Sequence, residues 1–192
     1  MHLTIATQDT GIYTIFRRMF EDEVDVDIYH GSAFDIEADA IVSPANSFGY
    51  MDGGFDAQIT EYFGTSIQSR VRKAIEDKHY GELNIGSCIE IPIQDKVYGS
   101  LYVTPTMRVP MDVHLTNNAY VAFRSMLVQS IFDNASSVVT PVLCTGVGKM
   151  DPYVAATQMK MAYRNIIGGQ RYNSFELAHM SQIKMLSPDF TY

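Results

Sequence analysis

Twice in this chain a short apolar run gives way to a glycine-bearing loop and then to a helical repeat. Ala40-Ile41-Val42 leads into "SPANSFGYMDGG", and the run "SVVTPVLC" leads into "TGVGKMDP". Apolar runs without alternation mark strands covered on both faces. Strands that alternate with helices build a layered α/β sheet, and its ligand crevice lies at the carboxyl ends of the strands, where helix N-termini converge. Glycines in such loops let main-chain N–H groups approach an anion closely and turn inward together.

The remaining segments fit that plan. Residues 3–7 alternate as a short strand, and a helical face follows through Ile12, Ile15, Phe16, Met19 and Phe20. Val24, Val26 and Ile28 alternate with Asp25 and Asp27, which predicts a strand with one wet face near a sheet edge. Phe55, Ile59, Tyr62 and Phe63, then Ile67, Val71, Ala74 and Ile75, predict two helices broken near Gly64. "GSCIEIPI" and "VYGSLYVTP" predict an antiparallel pair with a tight turn around Gln94 and Asp95. Thr116 or Asn117 can cap a long helix with Tyr120, Phe123, Leu127 and Ile131 inward. Pro141 inside its apolar run implies a bulge or a place where no ladder donor is needed. Asp151 as N-cap and Pro152 in the first turn open the last clear helix, which stops at Gly168-Gly169. The expectation is a three-layer α/β/α domain with a mixed central sheet over residues 1–170. Residues 171–192 are expected as a C-terminal extension packed on it through Phe175, Leu177 and Leu186.

At 192 residues and 46% apolar, the chain can bury a core without staples. A net charge of −8 with scattered basic residues argues against a nucleic-acid track, which needs clustered Lys and Arg. No apolar run approaches membrane-spanning length, and no signal pattern opens the chain, so a cytoplasmic protein is expected. Cys88 and Cys144 read as buried free thiols. The second loop lacks the Walker spacing, the dinucleotide fingerprint fails at Asp151, and zinc and catalytic-triad motifs are absent, so neither a metal nor a cofactor is expected.

Taken in order, "GSAFDIEADAIVSPANSFGYMDGGFD" and "VVTPVLCTGVGKMDP" resemble the two signature segments of macrodomains. The resemblance implies a binder of ADP-ribose or a related nucleotide, free or carried on an ADP-ribosylated protein. It also implies, in many members, hydrolysis of an ADP-ribosyl or ADP-ribose 1″-phosphate bond; the alternative is a non-catalytic reader or sink. Asn46, beside Ala45, takes the place of the asparagine that holds the distal ribose, and Asp56 that of the aspartate which positions or activates water. Gly53 and Gly54 match the glycines beside that ribose, and Thr145, Gly146, Val147 and Gly148 match the loop whose amides wrap the diphosphate. Ser32 stands where the family's adenine-accepting aspartate aligns, with Asp35 three residues on as another acceptor. A hydroxyl both accepts and donates, so it is less committed to an amino group than a carboxylate is. Beside these roles stand plainer ones: Asn46 can cap its own loop, and Asp56 can favour a helix N-terminus. Phe48 and Tyr50 can cover a ribose or pack on neighbours, Asp52 reads as a solvated loop acid, and Arg108 as a partner for a carboxylate.

Overall fold

A computed structural model of the protein describes residues 1–93 and 95–187. The apolar runs form the middle of one six-stranded sheet. Its strands are β1 (His2–Thr7), β2 (Val26–His30), β3 (Ala40–Ser43), β4 (Ile89–Pro92), β5 (Ser100–Val103) and β6 (Ser137–Pro141). Their order is β2-β1-β6-β3-β5-β4. Every neighbouring pair is parallel except β4 with β5, where Glu90 lies opposite Tyr102, so the sheet is mixed. All four residues of β3 are buried, as its unbroken run requires of an interior strand, whereas β2, with Asp27 facing water, occupies an edge.

Helices cover both faces: α1 (Thr10–Met19), α2 (Gly54–Phe63), α3 (Ser66–His79), α4 (Asn118–Phe132), α5 (Pro152–Ile166) and α6 (Phe175–Leu186). Leu3, Ile5, Phe16, Phe123, Leu127 and Met159 pack in one core with α1, α4 and α5. Ile41, Ile59, Val71, Ile75, Leu101 and Val139 form a second core with α2 and α3. Each such side chain taken out of water contributes about 1.5–3 kcal/mol. The layers are therefore α/β/α. Asp151 caps α5, accepting from Tyr153 N at 2.8 Å, and Pro152 fills the first helical position. At α4 the Thr116 hydroxyl accepts from Asn118 N at 3.3 Å, while the Asn117 side chain caps nothing.

Three expectations are corrected. The strand read through Cys144 ends at Pro141, which lacks an N–H to continue the ladder. On α4 the buried stripe closes on Ser130, whose hydroxyl donates to Leu127 O at 2.7 Å, leaving Ile131 half exposed. Helix α6 buries Met185, while Phe175 is 87% exposed and Leu177 50%. The turn between β4 and β5 includes Gln94, which lies outside the described residues, as does the end of the C-terminal extension. On the described side of that turn, Asp95 accepts from Val97 N at 2.7 Å and Tyr98 N at 3.3 Å. Both cysteines are free; Cys144 is buried and Cys88 half-buried.

Candidate functional site

The five parallel strands finish along one edge, and the loops after β2, β3, β5 and β6 meet there. Beyond Ser43 the first loop is stitched by Asn46. Its Nδ2 donates to Tyr50 O at 2.7 Å, and its Oδ1 accepts from Phe48 N at 3.1 Å and Tyr50 N at 3.3 Å. Asn46 is thus an internal cap of its loop as well as part of the crevice wall. The backbone beyond β5 extends this wall: Thr106 N donates to Ala45 O at 2.9 Å, and Met107 bridges Asn46. Arg108 forks onto Glu82 at 2.7 and 3.0 Å and lies over the Phe48 ring, so both are occupied away from the crevice.

The second loop leaves its amides open. Cys144 at φ 66° and Lys149 at φ 53° turn the chain, a left-handed geometry uncommon outside glycine. Met150 N donates to Cys144 O at 3.0 Å, Lys149 N to Gly146 O at 3.0 Å, and Val113 N to Gly148 O at 2.9 Å. Between these ties, the N–H groups of Thr145, Gly146, Val147 and Gly148 donate to no acceptor among the described residues. Gly148 is required by close approach, since a Cβ there would lie 2.5 Å from Cys144 O, whereas a Cβ on Gly146 would meet nothing within 4 Å. Across the crevice Gly53 is the N-cap of α2 and supplies no side-chain cap. The amides of Gly54, Phe55 and Asp56 are likewise without acceptors among the described residues. Open amides at a helix start and in a turn favour an anion between them.

Two adjoining hollows result. The first, about 220 Å³, is lined by Ala45, Asn46, Gly53, Gly54, Asp56, Gly146, Val147 and Gly148. The second, about 170 Å³, is lined by Ser32 and Thr145. Phe55, Pro141 and Val142 belong to both. Ser32, Ala45, Asn46, Gly53, Gly54, Asp56 and Thr145 to Gly148 therefore all line one hollow or the other, whereas Phe48 lines neither. Tyr50 and the exposed Asp52 also line the first hollow. Sequence reasoning missed Thr106, Met107 and Pro110 there, and Thr7, Gln8 and Gln58 in the second hollow. Position alone could have found most of them, because they follow β5 and β1 onto the same edge. Asp35 is not in either lining: its carboxylate accepts from Ser32 N at 3.1 Å, closing a capping box with the Ser32 hydroxyl.

Asp56 is the chemically unusual group. It is 6% exposed in the first turn of α2, and Ser43 Oγ donates to its Oδ1 at 2.6 Å. Burial pushes its carboxyl up to about 7 from an ordinary 3.8, while the Ser43 hydrogen bond pulls the other way. Near neutrality such a group can take or give a proton. No three His, Cys, Asp or Glu side chains among the described residues are grouped to hold a metal ion, and no described helix is long and apolar enough to cross a membrane.

The family model of macro-like domains matches residues 2–167. The chain belongs to the macrodomain family. No curated protein matches it in sequence. Among solved structures, the macrodomain of Mycobacterium tuberculosis DarG is similar with a TM-score of 0.62 and 18% identity, over 70% of this chain and 87% of that one. A mutant Oceanobacillus iheyensis macrodomain with ADPR gives 0.62 and 16%, over 80% and 88%. The Trypanosoma brucei macrodomain in complex with ADP-ribose gives 0.57 and 21%, over 73% and 56%. At these identities the likeness is one of fold. It confirms the three-layer macrodomain architecture around the crevice.

Proposed function

We propose that this macrodomain binds ADP-ribose or an ADP-ribose derivative, with the diphosphate between the two glycine-bearing loops. The observation that carries this is the set of open amides from Thr145 to Gly148, facing the uncapped start of α2 across one crevice. Several N–H donors sharing one doubly charged group supply charge-assisted hydrogen bonds without any basic side chain, which suits a chain of net charge −8. The ribose beyond the diphosphate then lies in the first hollow, against Asn46, Gly53, Gly54 and Asp56. Similar folds solved with ADP-ribose support the same reading. Calorimetric titration with ADP-ribose tests it, together with Gly146→Val. A Cβ at Gly146 meets nothing within 4 Å, so the expected outcome is loss of binding with the melting temperature held. Unchanged affinity in that variant removes the diphosphate from this loop.

One observation favours a second reading, turnover. Asp56 is buried against the crevice with a carboxyl that titrates near neutrality, suited to accept a proton from water attacking an ADP-ribosyl or 1″-phosphate bond. A hydrolase loses rate with modest loss of affinity in Asp56→Ala, whereas a reader or sink shows no rate in the parent protein. Incubation with ADP-ribose 1″-phosphate and with an ADP-ribosylated protein separates the two. A cytoplasmic location is proposed on the sequence alone.

A further inference from the structure

A diphosphate held at residues 145–148 leaves a nucleotide two directions in which to extend, because Thr145 lines the second hollow and Gly146 to Gly148 line the first. With the distal ribose against Asn46 and Asp56, the base falls in the second hollow. This rests on the proposed binding of an ADP-ribose-type ligand. The polar side chains there are Thr7, Gln8, Ser32, Gln58 and Thr145, and none carries a charge. The two nearby carboxylates are engaged elsewhere and line neither hollow: Asp35 accepts from Ser32 N at 3.1 Å, and Asp9 caps α1 by accepting from Ile12 N at 2.8 Å. Ser32 Oγ accepts from Phe34 N at 3.3 Å, which leaves its proton to donate outward. The carboxamides of Gln8 and Gln58 make no hydrogen bond among the described residues.

We propose that this subsite accepts an oxo-purine as readily as adenine, so that the protein selects the diphosphate and ribose and leaves the base undiscriminated. A carboxylate only accepts; it rewards an exocyclic amino group and repels a ring carbonyl. A carboxamide or hydroxyl can present either a donor or an acceptor to the same edge. Rotation of Gln8, Gln58 and the Ser32 hydroxyl therefore satisfies the amino group of adenine or the carbonyl of hypoxanthine. Among the side chains of this hollow, the large discrimination that comes from leaving a committed buried polar group unpaired has no origin.

The test titrates the wild-type protein calorimetrically with ADP-ribose and with its hypoxanthine counterpart. The two dissociation constants are expected to agree within about threefold. Ser32→Asp, and independently Gln58→Glu on the exposed face of α2, place an acceptor-only group in the hollow. Each is expected to shift the ratio toward ADP-ribose by about tenfold, equivalent to ~1.4 kcal/mol. Should the Ser32 variant misfold, the Gln58 variant supplies the same readout. A tenfold preference of the wild type for ADP-ribose overturns the inference while leaving the crevice as the ligand site. Ratios unmoved by both carboxylates overturn it by removing the base from this hollow. Failure of both nucleotides to bind the wild type overturns it together with the proposed function.

Discussion

Replacing Asp56 by asparagine should stabilise the protein at alkaline pH and leave it unchanged in acid. Between pH 4 and 7 the unfolded chain gives up the Asp56 proton while the folded chain keeps it, because burial lifts the carboxyl from 3.8 to about 7. Folding then binds a proton, so stability falls as pH rises through that interval and levels off above it. At 1.36 kcal/mol per tenfold change in proton affinity, the full cost above pH 7 is roughly 4 kcal/mol, an upper limit reached if the folded chain does not relax around the charge. Asparagine does not titrate and keeps an oxygen that can accept from Ser43 Oγ, now 2.6 Å from the carboxylate. In a chain of this size 1 kcal/mol moves the melting temperature by about 2–4 °C, so even half the limit gives roughly 4–8 °C. The assay is a melting series on both proteins from pH 4 to pH 8.5, read as the difference between them so that all other titrating groups cancel. The expected difference is near zero at pH 4 and grows to its plateau by about pH 8 in favour of the variant. A constant difference across the range, or a variant less stable at pH 8, refutes the reasoning.

Other outcomes can be checked alongside. Gly148→Ala drives a Cβ to 2.5 Å from Cys144 O and 2.8 Å from Val113; it should cost about 1–3 kcal/mol in denaturant unfolding and weaken ADP-ribose binding in calorimetry. Gly54→Ala meets no neighbour but must hold φ 57°; a loss of about 1–2 kcal/mol in chemical denaturation is expected. Asp151→Ala removes the cap of α5 and should cost about 1 kcal/mol, measured the same way. On α6, Met185→Ala should release the helix as increased amide exchange over residues 175–186, whereas Phe175→Ala, at a side chain facing water, should leave stability within about 0.5 kcal/mol.

The central strands and the two loops were legible because their signals are local. Ala40-Ile41-Val42 is apolar without alternation, Pro44 stops the ladder, and Gly53-Gly54 precede a helical repeat. Asp151-Pro152 marks a helix start by chemistry that needs no partner from elsewhere. What escaped depends on tertiary neighbours. Nothing in the spacing of Ser43 and Asp56, thirteen residues apart, announces their hydrogen bond; it follows from β3 ending beneath the first turn of α2. The segment with Thr106, Met107 and Pro110 has no periodicity, and it becomes a wall only because its backbone pairs with the first loop. Phe175 and Leu177 look like packing residues in sequence, yet α6 meets α5 through the side bearing Met185, and hydrophobicity alone does not choose a helix face.

The tie from Val113 N to Gly148 O joins two crevice walls that are 35 positions apart along the chain. In the proposed binding mode, phosphate oxygens that hold the Gly148 N–H fix the peptide before Gly148, and the turn at Gly148 carries that constraint to the following peptide, whose carbonyl accepts from Val113 N. Under the proposed function, occupancy at the loop would reach the stretch from Thr106 to Val113 through this one hydrogen bond. The slowing of deuterium uptake at Val113, remote in sequence from any phosphate contact, would make that one amide a reporter of whether the crevice is filled.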